Sequence, residues 1–280
     1  MTTFLVRDTA MSPLVIGVAR LALAAVVLAG LARRRGSLAI ARADVLPCLA
    51  MGASMAVFQA GYFSAVVRVG VALTALIAIC SAPLMIAALA RITLGERLSR
   101  RGALALAVGV GGTALLIVGS RGFADVGAGF TAGVALALAA GASYALYVVI
   151  AKASLTRTAP LPLAAVTFLF GTLWLAPVLG WIDVSAAQLA AGWPLLLYLG
   201  IVTTGLAYAA YTTGLTSASA AAAGIVSLLE PLTATLLGVA LLGERLGPTG
   251  ITGAVLLLAA VALLSREETR AAGRRENARS

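Results

Sequence analysis

Residues 79–102 read ICSAPLMIAALARITLGERLSRRG, and residues 227–250 read SLLEPLTATLLGVALLGERLGPTG. Shifting the chain by 148 positions lays Pro83-Leu84 on Pro231-Leu232 and Leu94-Gly95-Glu96-Arg97-Leu98 on Leu242-Gly243-Glu244-Arg245-Leu246. Nine of the twenty positions from 83 to 102 match their counterparts without a gap. A biased composition pairs Leu with Leu by chance, but it does not repeat LGERL at a fixed distance from a proline. The two stretches are therefore copies left by an internal duplication.

Around them the chain is built for lipid. Of 280 residues 61% are hydrophobic and 11% charged, and the mean hydropathy is +1.06, values foreign to a water-soluble globule. Apolar runs bounded by Pro, Gly or charge lie at 13–31, 45–67, 71–90, 102–119, 128–151, 160–180, 193–214, 218–242 and 249–265. A membrane helix needs about 20 apolar residues, so each is a span. The runs are continuous rather than alternating, which favours helices over a barrel, because a helix satisfies its own backbone polar groups in lipid. Short connections leave no room for a nucleotide-binding domain, a soluble sensor or a catalytic head. Residues 1–7, MTTFLVR, are too short to cross and lack the features of a signal peptide, so they read as the end of a span whose beginning is missing. The run from Arg266 to Ser280 alternates charge and reads as a solvated, frayed tail.

The net charge of +10 does not point to nucleic acid, because the basic residues sit mostly between apolar runs. Counting loops alternately, 15 basic residues fall on one side, among them Arg33–Arg35, Arg91, Arg97, Arg100, Arg101, Lys152 and Arg157, and 4 on the other (Arg7, Arg68, Arg121 and Arg245). The positive-inside rule makes the first side cytoplasmic and places the C-terminus there. With no histidine, a His-ligated metal or haem and a His general base are excluded. Cys48 and Cys80 lie inside apolar runs and read as small hydrophobes. We expect neither metal nor cofactor.

Five spans per copy is an odd number, so the copies cross the membrane in opposite senses. The arginines agree, since Arg100 and Arg101 follow the first LGERL while GPTG follows the second. Inverted repeats enclosing a central site are a plan of secondary transporters, which alternate access by exchanging the conformations of the halves.

Glu230 is the foremost candidate residue. It lies near the middle of the 218–242 run, where an ionised carboxylate costs about 2.5–3.5 kcal/mol. Pro231 follows it and removes a helical donor, and Ser227 and Thr233 stand three residues to either side. It reads either as a proton-coupling or solute-binding carboxylate or as a structural glutamate tied to a neighbouring helix; its counterpart in the first copy is Ala82. Arg20 lies roughly 10 Å below the outer end of its span and Glu230 roughly 18 Å below, a difference that a long arginine spans. The alternatives for Arg20 are snorkelling and a bond to backbone carbonyl. Three sets recur at helical spacing and are candidates for a cavity lining: Gln59 and Tyr62; Tyr144 and Tyr147; Thr204, Tyr208 and Tyr211. Tyrosine faces suit an amphipathic or cationic organic molecule, or equally plain interhelical packing. Pro83 and Pro231 are helix-break positions. Trp174, Trp181 and Trp193 read as interface anchors. GVGG at 109–112 and the small residues 220–224 permit close helix approach rather than phosphate binding. Glu96-Arg97 and Glu244-Arg245 either neutralise one another or cap helix ends.

A duplicated five-span unit with Pro in its fourth span and LGERL at that span's end resembles the EamA family of the drug/metabolite transporter superfamily. SPLVIGVARLALAAVVLA at 12–29, with its Arg20, is similar to that family's second span. The resemblance implies ten helices, cytoplasmic termini and ATP-independent efflux or exchange of amino acids, other metabolites or drugs. Members open with a full first span carrying a Trp-Gly pair, so this chain is expected to be truncated within that helix.

The sequence thus predicts an all-α integral membrane protein of two inverted five-helix repeats, a ten-helix plan with its first helix incomplete. The first repeat is 1–119, the second 128–265, and 266–280 is a charged cytoplasmic tail. The predicted activity is secondary transport of a small organic solute out across the bacterial inner membrane by alternating access, with a proton coupled through Glu230. Partners are the solute, the bilayer and, as an option, a second copy in a homodimer. The rival readings are an intramembrane lipid-handling protein, disfavoured by a lone intramembrane carboxylate, and a non-transporting scaffold.

Overall fold

The computed structural model describes residues 11–120, 129–182, 185–233, 236 and 247–277, excepting the side chains of 72, 116–120 and 264–277. The segment 1–7, Arg121 and the second LGERL at 242–246 lie outside the described residues. Regular structure within them is helical: α1 Pro13–Arg34, α2 Val45–Thr93, α3 Arg100–Ser120, α4 Phe130–Ser154, α5 Pro160–Leu175, α6 Ala186–Leu197, α7 Ala207–Gly214, α8 Ala220–Ser227 and α9 Pro248–Asn277. Among the described residues six helical stretches are long and apolar enough to cross a membrane, namely Pro13–Arg34, Arg42–Val71, Leu73–Thr93, Phe130–Ser154, Pro160–Trp181 and Ala186–Gly214. Large apolar side chains point outward on these helices, Val26, Val67 and Leu173 among them, as lipid permits and water does not.

Local chemistry sets the boundaries. Ser12 caps α1 by accepting from the Leu14 N–H, and Pro13 takes the first turn, where no donor is missed. The runs 45–67 and 71–90 form one helical stretch, α2, interrupted at Gly70, whose φ of 78° and ψ of 165° are open to glycine. Pro83 lies inside the second part of α2. The run expected to begin at 193 begins at Ala186 instead. Ser185 and Gln188 form a capping box there, a start signal the apolar run does not show. Trp193 consequently lies within α6 and not at its border. The last helix also exceeds its apolar run, continuing to Asn277 where a frayed tail is expected. Ala, Glu and Arg in that segment are strong helix formers, and propensity carries the helix past the lipid.

Two compact units emerge, one of 1–63 with 146–218 and the other of 64–145 with 219–280. They divide the chain differently from the sequence duplication: each unit takes one part from each copy. The first has its core on α1 and α5, with Leu21, Leu28, Leu161, Ala164, Phe168 and Leu175 buried together. In the second, Leu228, Leu232 and Leu257 form one buried cluster, and Ala105, Leu106, Ala222 and Ile225 another.

Helix approach in each unit depends on missing side chains. A Cβ on Gly52 would lie 2.7 Å from the Gly171 nitrogen and from Phe170 Cβ, and one on Gly112 would lie 2.9 Å from the Gly253 carbonyl oxygen and the Leu257 nitrogen. Backbone atoms cannot step aside, so the α2–α5 and α3–α9 crossings are closed to any larger residue. Gly52→Ala and Gly112→Ala are each expected to lower the thermal unfolding midpoint of the detergent-purified protein, at a cost of about 1–3 kcal/mol. Gly30→Ala, with nothing within 4 Å of the added carbon, leaves the midpoint unchanged or raises it.

Candidate functional site

The candidate residues fall into two groups. Arg20, Gln59, Tyr62, Tyr147, Thr204, Tyr208 and Tyr211 belong to the first unit, and Tyr144, Ser227, Glu230, Pro83 and Pro231 to the second. The pair Tyr144 and Tyr147, expected to act as one set, is thus divided.

In the first unit the chain between α6 and α7 is π-helical from Tyr198 to Leu206. Widening a helix to i→i+5 bonds is rare and leaves carbonyl groups in need of donors. Thr203 Oγ1 and Thr204 Oγ1 both donate to the Leu199 carbonyl, at 2.8 and 2.7 Å. With its one proton so used, Thr204 Oγ1 accepts from Arg20 Nε at 3.2 Å. A stripe on α1 meets this segment: a Cβ on Gly200 would lie 2.5 Å from Leu23 Cβ, and one on Gly205 would lie 3.1 Å from Val27 Cγ1. Arg20, Leu23 and Val27 follow one another at helical spacing and share a face. The bond from Arg20 goes to a side-chain hydroxyl of the π segment. Nothing in the sequence reading points to a π-helix, although Gly200 and Gly205 around a Thr-Thr pair mark where α1 comes close and where hydroxyls are on hand.

Beside this segment two of the tyrosine sets merge. Tyr208 lies edge-on to Phe168 with centroids 4.7 Å apart and to Tyr147 at 5.9 Å, and Tyr211 is tilted against it at 6.0 Å. Tyr147 is 1% exposed, and the Tyr208 hydroxyl points at Met55 Sδ, 3.9 Å away. These are aromatic contacts between helices, in which Tyr208 and Tyr211 are half-buried. Phe168 and Met55 are members that helical spacing does not reveal. Gln59 is buried over Gly17 of α1, and Tyr62 stacks on Phe58 at 5.7 Å.

In the second unit Ser227 Oγ donates to the Ala223 carbonyl at 2.9 Å. Its contact of 3.4 Å with the Tyr144 hydroxyl therefore has tyrosine as the donor. One residue past Ser227 the helix is interrupted at Leu228 and then resumes, carrying Glu230 and Pro231. Leu228 and Leu232 turn inward to Leu257, and Glu230, halfway round the helix from both, is exposed on the opposite face of the unit. Pro83 serves a packing purpose here: a Cβ on Gly224 would lie 3.4 Å from Pro83 Cα and 3.1 Å from Ile86 Cδ1.

Charged side chains tie together connections and helix ends. The Asp44 carboxylate, fully buried, pairs with Arg157 and accepts from Thr158 Oγ1 at 2.6 Å, while Thr158 Oγ1 accepts from the Ala41 N–H at 3.0 Å. Lys152 Nζ donates to the carbonyls of Leu215 and Ala218 at 2.8 and 2.6 Å, with Thr216 farther off at 3.4 Å. Glu96 takes the capping alternative: its two oxygens accept from the Ala220 and Ala221 N–H groups at 3.0 and 3.3 Å. The LGERL glycine explains how. Gly95 has φ of 67°, closing α2 through a bond from the Glu96 N–H to the Ala90 carbonyl and aiming Glu96 away from its own helix.

Residues 131–266 match the sequence pattern described as the EamA-like transporter family. The chain is 37% identical over 212 residues to the uncharacterized transporter YwfM of Bacillus subtilis (strain 168), covering 75% of this chain and 70% of that protein. An uncharacterized transporter of Archaeoglobus fulgidus is 28% identical over 208 residues, covering 74% and 72%. One crystal structure superposes with a TM-score of 0.82 at 20% identity, covering 96% of this chain and 92% of the other, a likeness of fold.

Thr204→Val keeps the shape of the side chain and takes the hydroxyl away from Arg20, while Thr203 still serves the Leu199 carbonyl. Its unfolding midpoint in detergent is expected to fall at a cost of about 1.5–3 kcal/mol, the range for a hydrogen bond to a charged group. Thr203→Val is expected to lose less.

Proposed function

This chain belongs to the EamA-like transporter family, and from that premise we propose that it exports a small organic solute, an amino acid, other metabolite or drug, across the bacterial inner membrane by alternating access. A proton bound and released at Glu230 drives the cycle. In this reading the two sequence copies, 1–119 and 128–265, are inverted five-helix repeats around one central site, and the C-terminus from 266 lies in the cytoplasm.

The observation that carries the coupling role is the place of Glu230. A carboxylate in an apolar helix, beside a proline and two residues past the interruption at Leu228, faces away from the packed core of its unit. A buried structural glutamate would turn toward that core. Its charge in the bilayer costs about 2.5–3.5 kcal/mol, and protonation removes the cost, so the two protonation states favour different surroundings. Ser227, one turn earlier, and Tyr144 of α4, whose hydroxyl donates to it, supply neutral hydrogen-bonding groups. Arg20 and the Tyr208 cluster supply a cation and aromatic faces for the solute.

The test is transport by proteoliposomes holding the full chain, with tritiated amino acids and ethidium as probes and an imposed pH gradient. Glu230→Gln is expected to lose gradient-driven accumulation by at least about tenfold, the scale of removing one proton-transfer group, while solute exchange without a gradient survives. Normal accumulation with an unaltered pH dependence would end the coupling role. Arg20→Ala and Tyr208→Ala should also lower transport, and unchanged rates would assign both side chains to packing alone.

A further inference from the structure

Where the first unit turns from α1 into α2 it carries four exposed arginines. Arg33 and Arg34 close α1, Arg35 caps it, and Arg42 opens the next apolar stretch, so all four stand at the facing ends of two consecutive spans. Their places are fixed along the connection. The Arg35 N–H donates to the Leu31 and Ala32 carbonyls, Leu38 packs on the α1–α5 core, and the Ala41 N–H donates to Thr158 Oγ1.

Among the described residues of this unit no free carboxylate answers them. Asp44 is the single acidic residue there, and it is fully buried and paired with Arg157. The carbonyl end of α1 suits a cation, but it carries only about half an elementary charge. A bias of arginines between spans sets the side on which a connection lies; it supplies no counter-ion. Apolar surface adjoins the same arginines. Val26 is 70% exposed, and Val26, Gly30 and Arg33 follow one another at helical spacing on one face of α1. A Cβ on Gly30 would meet nothing within 4 Å, so this face is open beneath Arg33. Val45 and Leu46, close after Arg42, are exposed as well. Cations at the end of an open apolar strip match an anionic headgroup that carries acyl chains. A free phosphate would have no use for the strip.

We infer that Arg33, Arg34, Arg35 and Arg42 hold the phosphate headgroup of an anionic phospholipid, with its acyl chains along the Val26–Gly30 face of α1. Guanidinium groups pair with phosphate bidentately, two N–H donors to two oxygens, and each arginine near an anionic lipid surface contributes about fivefold in binding. A lipid that binds the folded chain and not the unfolded one raises the unfolding midpoint. The inference depends on the chain lying in a bilayer and not on its solute or on Glu230.

The experiment is native mass spectrometry of the full chain in detergent, titrated with phosphatidylglycerol or with phosphatidylcholine of the same acyl chains, alongside unfolding midpoints with each lipid. Phosphatidylglycerol is expected to bind at least about tenfold more tightly and to raise the midpoint more. Arg33→Gln, Arg34→Gln, Arg35→Gln and Arg42→Gln together should reduce that preference to within about twofold. Arg33→Gln and Arg42→Gln alone should each weaken phosphatidylglycerol by up to about fivefold, which keeps the test open if the quadruple variant does not fold. Changing the exposed Arg91, Arg97, Arg100 and Arg101 of the second unit to Gln removes equal charge and should leave the preference standing. Equal loss in that control would overturn the inference, because net charge alone would then attract the lipid. Equal binding of the two lipids by the parent would overturn it as well. So would displacement of phosphatidylglycerol by an equal concentration of glycerol 1-phosphate, which would mark a site for free phosphate.

Discussion

In a bilayer every backbone N–H and C=O must find its partner inside the protein, and the rest of this structure follows from that demand. Helix interiors meet it automatically; ends and interruptions do not. The chain answers with side chains at several such places. Ser12, Ser185 and Ser219 cap helix starts, Lys152 collects the carbonyls after α7, and Glu96 closes the first turn of α8. The hydroxyls of Ser54, Thr93, Ser143, Thr172, Thr213 and Ser227 spend their protons on the carbonyl four residues back and so stay satisfied in an apolar setting. At the Gly70 interruption Thr74 does the same for the Gly70 carbonyl.

A second consequence concerns packing. Lipid tails are as apolar as leucine, so burying apolar surface cannot by itself pull helices together, and close contact has to do so. Gly52 against Gly171, Gly112 against Gly253, and Gly200 and Gly205 against Leu23 and Val27 bring backbones within reach. The last two contacts and the bond from Arg20 to Thr204 fall on a single face of α1. A π-helix that would be costly alone is held there by packing, by two threonine hydroxyls and by one charged donor.

Much of the fold was legible in the residues. Helical structure occupies part or all of every expected run, and the all-α membrane architecture and the family stand on the duplicated Pro-and-LGERL segment. The site was legible only in pieces. Helical spacing found Thr204, Tyr208 and Tyr211, but spacing along one helix cannot tell which neighbour fills the gap, so Phe168, Met55 and the separation of Tyr144 from Tyr147 had no signal. The reading of Glu96 stopped at two alternatives, because the helix end it caps lies 124 positions away along the chain.

What the sequence determined by itself is everything set by periodicity and local chemistry: that the chain is built of apolar helices, that a proline and a carboxylate stand together at 230–231, and that LGERL recurs at a fixed distance from a proline. Those properties depend on neighbours within a few residues, and the transfer of an apolar run into lipid depends on composition alone. Only the tertiary structure decided where the long-range partners are: the π segment braced by α1, the caps reaching over from Lys152 and Glu96, and two compact units that each draw on both copies. The reason is physical. Such contacts depend on shape and on one exact pairing of donor with acceptor, and many sequences with the same apolar pattern would satisfy the bilayer without making them.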